Sequence, residues 1–239
     1  MTEFASKESA RHHVWDRLDR EGLAAFPFPP HGRIPNFRGS AEAARQLFDI
    51  PIYRDARRLK INPDSAQAPV RAEALRRGIE VYVPTPKLAG GFWRLDPDRI
   101  PPDAVRAASA MSTMNRWGEP VTLSDLPQMD AIVSGSVAVT PAGKRCGKGA
   151  GYADREYAIL LELGHAPVPV ATTVHDVQVV ADFPQTGTDE PLNFIVTPSR
   201  IIEIKTPRPP PAGIDWQAIG AADLEAMPVL AELKALRGK

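Results

Sequence analysis

The sequence predicts an α/β domain, three-layered α/β/α, in which a mostly parallel sheet is covered by helices on both faces. Three observations carry this. Segments of helical periodicity alternate along the chain with short runs of strand length, the order that builds parallel sheets. Several of those runs, Asp130–Thr140, Val168–Val174 and Val177–Val180, are apolar and valine-rich, as strands buried under helices on both sides require. No internal repeat points to a solenoid, and 239 residues with 43% hydrophobic content suffice for a large core.

Taken in order, residues 3–22 read as an amphipathic helix, with Val14, Leu18 and Leu23 near helical spacing among charges. Phe26–Phe37 is a Pro/Gly-rich connector, after which Ser40 is placed to cap a helix over Ala41–Phe48. Arg58–Ile61 is a strand ending at Asn62-Pro63-Asp64. Val70–Arg77 is a helix stopped by Gly78, Glu80–Val83 is the next strand, and Pro102–Met114 is helical. The apolar run at 130–140 leads into a glycine-rich loop, Pro141–Gly151, and then a helix, Tyr152–Leu163. Two valine-rich strands follow, and Phe194–Val196 with Arg200–Ile204 form a hairpin around Thr197-Pro198-Ser199. Residues 1–205 are expected to form one domain. Residues 206–239, opening on Pro207–Pro211, are expected to be a linker and a helical tail, packed or loose.

Composition narrows the function. Lys+Arg and Asp+Glu each total 29, so the formal charge is zero and no long-range attraction to nucleic acid or anionic lipid is expected. No run approaches the roughly 20 apolar residues of a membrane span, and Met1–Arg11 lacks the apolar core of a signal peptide. A single cysteine, Cys146, excludes an intrachain disulfide, so the expected location is the reducing cytoplasm. The partner expected is a small molecule, bound by a monomer or homodimer.

The segment Arg145-Cys146-Gly147-Lys148-Gly149-Ala150-Gly151-Tyr152-Ala153-Asp154-Arg155 is the most informative. Alternate glycines let a backbone approach a ligand closely. The helix that starts near Tyr152 directs its free N–H groups and positive dipole end at the loop. With Arg145 and Lys148 alongside, the pattern fits either a polyphosphate cradle or a purely structural strand-to-helix turn. It lacks the Gly-Lys-Ser/Thr ending of a Walker A loop, and its third glycine falls one residue early for a dinucleotide fingerprint.

This string resembles the signature of the 5-formyltetrahydrofolate cyclo-ligase family, Arg-x-Gly-x-Gly-x-Gly-Tyr-Tyr-Asp-Arg, matched at Arg145, Gly147, Gly149, Gly151, Tyr152, Asp154 and Arg155. Lys7 and Arg11, one turn apart on the first helix, resemble the family's cationic pair on ATP. Gln178 and the Pro184…Asp189 spacing resemble its C-terminal segment, and Asp64 falls where the family places an acid near the pterin ring. The resemblance implies the NagB/RpiA/CoA-transferase-like version of the three-layer fold and ATP with Mg²⁺. Nucleotide contacts would then come from Lys7, Arg11, Arg145, Gly147, Lys148, Gly149, Gly151 and Tyr152, with the metal on Asp154 and Asp189. Asp64, Tyr152 and Arg33 would meet the substrate, and Lys7, Arg145 and Asp154 would carry the catalysis. The implied reaction is ATP-dependent closure of 5-formyltetrahydrofolate to 5,10-methenyltetrahydrofolate. A same-fold enzyme for another formamide, amide or heterocyclic metabolite, or a folate- or nucleotide-binding protein without turnover, is the alternative.

The pattern also departs from the family. Ala153 replaces the second tyrosine of the signature, and Thr140 stands where aspartate is common. Gly32-Arg33-Ile34-Pro35-Asn36-Phe37 resembles a longer cyclo-ligase-like subgroup, whose match spans about residues 7–205. That segment is either a connector in which Arg33 pairs with a carboxylate or a rim that brings Arg33 and Asn36 to the substrate. His12 and His13 diverge by about 100° on a helix and make a poor metal pair. His165 and His175 read as structural, and Cys146 as incidental.

Overall fold

The computed structural model describes residues 2–237. Eight strands form the central sheet: β1 Arg58–Ile61, β2 Glu80–Pro84, β3 Phe92–Leu95, β4 Glu119–Val121, β5 Ala131–Val133, β6 Val170–Thr173, β7 Phe194–Val196 and β8 Ile201–Glu203. Their spatial order is β8-β7-β6-β5-β1-β2-β3-β4. The five strands β7-β6-β5-β1-β2 run parallel, and antiparallel strands close the sheet at both edges.

Period-two alternation divides the core into two layers. Leu59, Ile61, Val81, Val83, Ala131 and Val133 face a cluster built with α1 (Lys7–Arg20), α2 (Ser40–Leu47) and α3 (Ala68–Arg76). Tyr82, Ile132, Val170 and Ile195 face the other cluster, built with α4 (Tyr152–Glu162) and the C-terminal helices α5 (Ala221–Ala226) and α6 (Val229–Arg237). The molecule is therefore a three-layer α/β/α fold. The tail belongs to the second layer, where Met227, Leu230 and Leu233 are wholly buried.

Several elements differ from the sequence expectation. Ser40 is the first residue of α2, and Gly39 occupies the cap position without a side-chain hydrogen bond. Pro102–Met114 contains only one turn of α-helix, Val105–Ala108: Pro101 and Pro102 start the segment, and after it the hydroxyls of Ser109 and Thr113 bond to the Val105 and Ala107 carbonyls. The run at 130–140 is two strands, broken at Ser134-Gly135-Ser136. Its second part, Ala138–Val139, pairs antiparallel with Arg145–Cys146, so the glycine-rich loop begins inside a ribbon. Val177–Val180 is no sheet strand: a short turn at Asp176–Gln178 follows β6, and only Val139 bridges to Val179. The edge strands β3 and β4 carry Arg94 and Glu119 amid apolar residues and lack a clean alternation; sequence reading passed over them. Among the described residues no helix is long and apolar enough to cross a membrane.

Chain order sets where a ligand can sit. From β1 the chain adds β2, β3 and β4 on one side and then returns to place β5 on the other, so the topology switches between β1 and β5. In open α/β sheets the crevice at the carboxyl ends of strands beside such a switch is the natural binding site.

Candidate active site

Three neighbouring parallel strands end at one rim. Asn62–Ser65 follow β1, Thr85 and Pro86 follow β2, and Gly135 follows β5; all line a cavity of about 920 Å³. That is the upper part of the ~300–1,000 Å³ usual for small-molecule sites, roomy enough for more than one ligand. The loop from Arg145 to Asp154 forms a second wall, Lys7 and Arg11 approach from α1, and Asp189 completes the ring. Every residue that the family resemblance assigned to nucleotide, metal or substrate, from Lys7, Arg11, Arg33 and Asp64 through the glycine loop to Asp189, lines this one cavity.

The loop has the backbone that its glycines suggest. Gly149 (φ 110°) and Gly151 (φ 66°) lie in the left-handed region, and Gly151 is the residue preceding α4 with no side-chain cap. The first N–H groups of α4 are thus left for a ligand. Arg11 braces the loop, its Nε donating to the Gly147 carbonyl at 2.6 Å, while Lys148 is exposed. Lys7 Nζ pairs with Asp189 Oδ1 at 2.5 Å, and Asp189 Oδ2 accepts from the Thr186 amide at 2.6 Å.

Arg145 is positioned differently from the loop's other cations. Its side chain is 2% exposed, and its guanidinium is committed to the Gly135 carbonyl (3.0 Å), Asp154 Oδ1 (3.1 Å) and Glu190 Oε2 (3.2 Å). It therefore holds the walls of the site and orients Asp154, whose Oδ1 also accepts from the Glu190 amide at 3.0 Å. Beneath the rim lies a buried charge network that the sequence reading missed. Lys60, fully buried on β1, pairs with Glu156 of α4 and donates to Asn62 Oδ1 at 2.7 Å, and Ser134 Oγ donates to Glu190 Oε1 at 3.0 Å. Burial raises the Glu156 and Glu190 carboxyls, against the opposing pull of Lys60 and Arg145. Burial also works against the Arg145 charge, but Asp154 and Glu190 outweigh it and hold the guanidinium protonated. One signal was available: a lysine within Leu59-Lys60-Ile61, a strand buried on both faces, needs a buried acid.

On the opposite wall, Asp64 Oδ2, Gln67 Oε1 and Ile34 Cγ2 converge on Gly135, where an added Cβ would lie 2.9–3.0 Å from each. Burial raises the Asp64 carboxyl, partly offset first by Lys148 and then by Arg71. Arg33 reaches this wall without the carboxylate partner that a plain connector predicts. Among the described residues it makes no ion pair, and its buried Nε has no hydrogen bond. Asn36 lies away from the cavity lining and donates to the Phe26 carbonyl at 2.8 Å. Gln178 is buried and donates to the Ser136 and Val137 carbonyls, fixing the link behind Gly135. His175 caps its turn through Nδ1, and the Cys146 thiol is buried and pushed up by that burial, so neither is set up as a nucleophile or base.

The donor set fits magnesium. Asp154 Oδ2 makes no hydrogen bond among the described residues, and its side chain keeps 24% exposure at the cavity. Among the described residues no group of three or more His, Cys, Asp or Glu forms a cage. One or two carboxylates beside a phosphate site is the arrangement Mg²⁺ uses when it shares its shell with water and phosphate oxygens.

Comparison with known proteins places the chain among relatives. The mouse methenyltetrahydrofolate synthase domain-containing protein is 38% identical over 239 residues, covering 97% of this chain and 64% of that protein. The human protein of the same name is 36% identical over 237 residues, covering 96% and 62%. The chain thus spans less than two thirds of the length of these relatives. In fold it is similar to the NMR structure of Aquifex aeolicus 5,10-methenyltetrahydrofolate synthetase, with a TM-score of 0.54 at 20% identity over 85% of this chain and 95% of that one. The 5-formyltetrahydrofolate cyclo-ligase family model matches residues 6–198, and the chain belongs to that family.

Proposed function

We propose that this protein closes 5-formyltetrahydrofolate to 5,10-methenyltetrahydrofolate at the expense of ATP, releasing ADP and phosphate. One observation carries the reading: a single cavity joins a glycine loop at a helix N-terminus, three cations (Lys7, Arg11 and Lys148) and two carboxylates to a second wall with Asp64 and an unpaired Arg33. The first half suits a polyphosphate and the second a polar heterocycle bearing acid groups.

In this reading the α4 N–H groups, Lys148, Arg11 and Lys7 bind the triphosphate and balance its charge. Lys7 exchanges its pair with Asp189 for a phosphate oxygen as the ligand enters, which frees that carboxylate. Asp154 and Asp189 would hold magnesium, which supplies charge neutralisation on the transferring phosphoryl oxygens. Arg145, braced by Glu190, keeps Asp154 aimed at that position. Asp64, as carboxylate, accepts N–H bonds from the pterin edge, and Arg33 meets a substrate acid group. Alignment by the two walls brings the formyl oxygen to the γ-phosphorus. Transfer converts that oxygen into a phosphate leaving group, and N10 attacks the formyl carbon and expels it.

The test is the absorbance of methenyltetrahydrofolate on mixing protein, 5-formyltetrahydrofolate, Mg²⁺ and ATP. ATP-dependent product supports the reading. ATP binding without product assigns the cavity to another amide or formamide, for which the altered substrate wall (Arg33, Ile34) provides the reason.

A further inference from the structure

The family match ends at residue 198, yet the cavity does not. Gly213, Ile214, Asp215, Ala218 and Ile219, all in the tail, line it alongside Arg155 and Ala158 of α4. Positions 155, 158 and 162 share one face of α4 at i, i+3, i+7 spacing, and the tail is fastened along that face. Glu162 Oε1 accepts from the Ile214 amide at 3.0 Å and from Trp216 Nε1 at 3.3 Å. At the other end Arg155 Nη2 pairs with Asp223 Oδ1 at 2.8 Å. Gly213 (φ 128°) presses so close that an added Cβ would lie 2.6 Å from Glu162 Oε1. Further on, Met227, Leu230 and Leu233 anchor the segment in the core. The tail is a built wall of the site.

We propose that this wall, with Tyr152 and Ala158, is the slot for the purine base of the nucleotide. Ile214 and Ile219 pack on the same apolar cluster as Tyr152 and offer flat aliphatic surface, while Ala158 and Ala218 are small and leave room for a ring. Asp215 is exposed at the edge, an acceptor for an exocyclic amine or a ribose hydroxyl. The slot adjoins the N-terminal turn of α4, where the phosphates are drawn. The wall around Asp64 and Arg33 lies on the opposite side of the cavity and is the one the proposed function gives to the second substrate. Ala153, which stands where the signature has a second tyrosine, is buried to 8% exposure and lines the same cavity.

This rests on the nucleotide half of the proposed function, so the test separates the two. Binding of Mg-ATP and of inorganic tripolyphosphate is measured calorimetrically on the full chain, for wild type, Ala218→Trp, which fills the slot, and Ile219→Ala, which removes its surface. The expected result is a loss of about tenfold or more in ATP affinity for both variants, ~1.4 kcal/mol, with tripolyphosphate affinity unchanged. ATP affinity unchanged in both variants overturns the proposal, as does a loss of 5-formyltetrahydrofolate affinity with ATP unaffected, which would assign the slot to the folate. A loss shared equally by ATP and tripolyphosphate also overturns it, since the base would then not be what the wall reads. If wild type binds ATP and forms no methenyl product, the cyclisation reading fails while the slot is still tested; if wild type binds no ATP, both fail.

Discussion

Arg145→Met removes one charge from the buried network while keeping much of the side-chain length. Glu190, with no exposed surface, would retain only the Ser134 hydroxyl at 3.0 Å and the more distant Lys60 to balance its charge. Breaking a buried pair by removing one partner costs about 3–5 kcal/mol, a large part of the ~5–15 kcal/mol by which a typical domain is stable. At about 2–4 °C per kcal/mol for a chain of this size, the melting temperature should fall by roughly 6–20 °C. Urea titration followed by tryptophan fluorescence measures the loss. The pH dependence identifies its cause. Burial already sets the folded-state Glu190 carboxyl above its unfolded value, and losing Arg145 raises it further. A group raised in this sense favours the folded state below its unfolded pKa, and the benefit is lost as pH rises through the folded pKa. The variant's deficit should therefore be full near neutrality and shrink as the buffer is acidified. Arg145→Met/Glu190→Gln should recover on the order of 1–3 kcal/mol relative to additivity. A deficit under ~1 kcal/mol, no dependence on pH, or strict additivity would refute the claim that Arg145 is held as a buried structural cation.

Further outcomes follow from the same geometry. Asp154→Asn keeps the Arg145 contact but loses a charged oxygen ligand, so ATP-dependent product formation should fall by at least ~10²-fold with little change in melting temperature; activity that survives excludes Asp154 from the metal site. Asp64→Asn should raise the KM for 5-formyltetrahydrofolate about 10-fold or more and leave the KM for ATP in place, measured by initial rates. Because burial raises the Asp64 carboxyl, wild-type folate affinity should weaken on acidification through a pKa above the ordinary aspartate value, and this limb should vanish in the Asn variant. Leu230→Ala should cost about 2–5 kcal/mol in urea denaturation, as expected for a wholly buried leucine; a cost near zero would mean the tail does not belong to the core.

Much of the architecture was legible because local rules and burial agreed. Arg58–Ile61 and Glu80–Pro84 are short runs, each with two buried aliphatic residues at alternate positions, bounded by glycine or Asn-Pro, and Gly78 ends α3 as its left-handed φ of 75° allows. The glycine loop, its helix and the spaced cations were visible because alternate glycines, a helix start and a one-turn Lys–Arg pair are local patterns. What stayed hidden depends on distance in space. Lys60 and Glu156 are 96 positions apart in the chain, and Arg145 and Glu190 are 45 apart, so no window of sequence joins them, though each charge in an apolar setting calls for a partner. The edge strands Phe92–Leu95 and Glu119–Val121 were missed because half-exposed antiparallel strands mix charge and apolar residues without a firm period. The tail is the clearest case. Its composition is that of a linker and an ordinary amphipathic helix, so the sequence by itself determined a helix of that kind and, farther back, a glycine-rich loop leading into a helix. Only the tertiary structure decided that Glu162 and Arg155 bind the tail to α4 and turn it into a wall of the cavity, because a hydrogen bond or ion pair between distant residues exists only once the sheet and its two helical layers have brought them within 3 Å or so of each other.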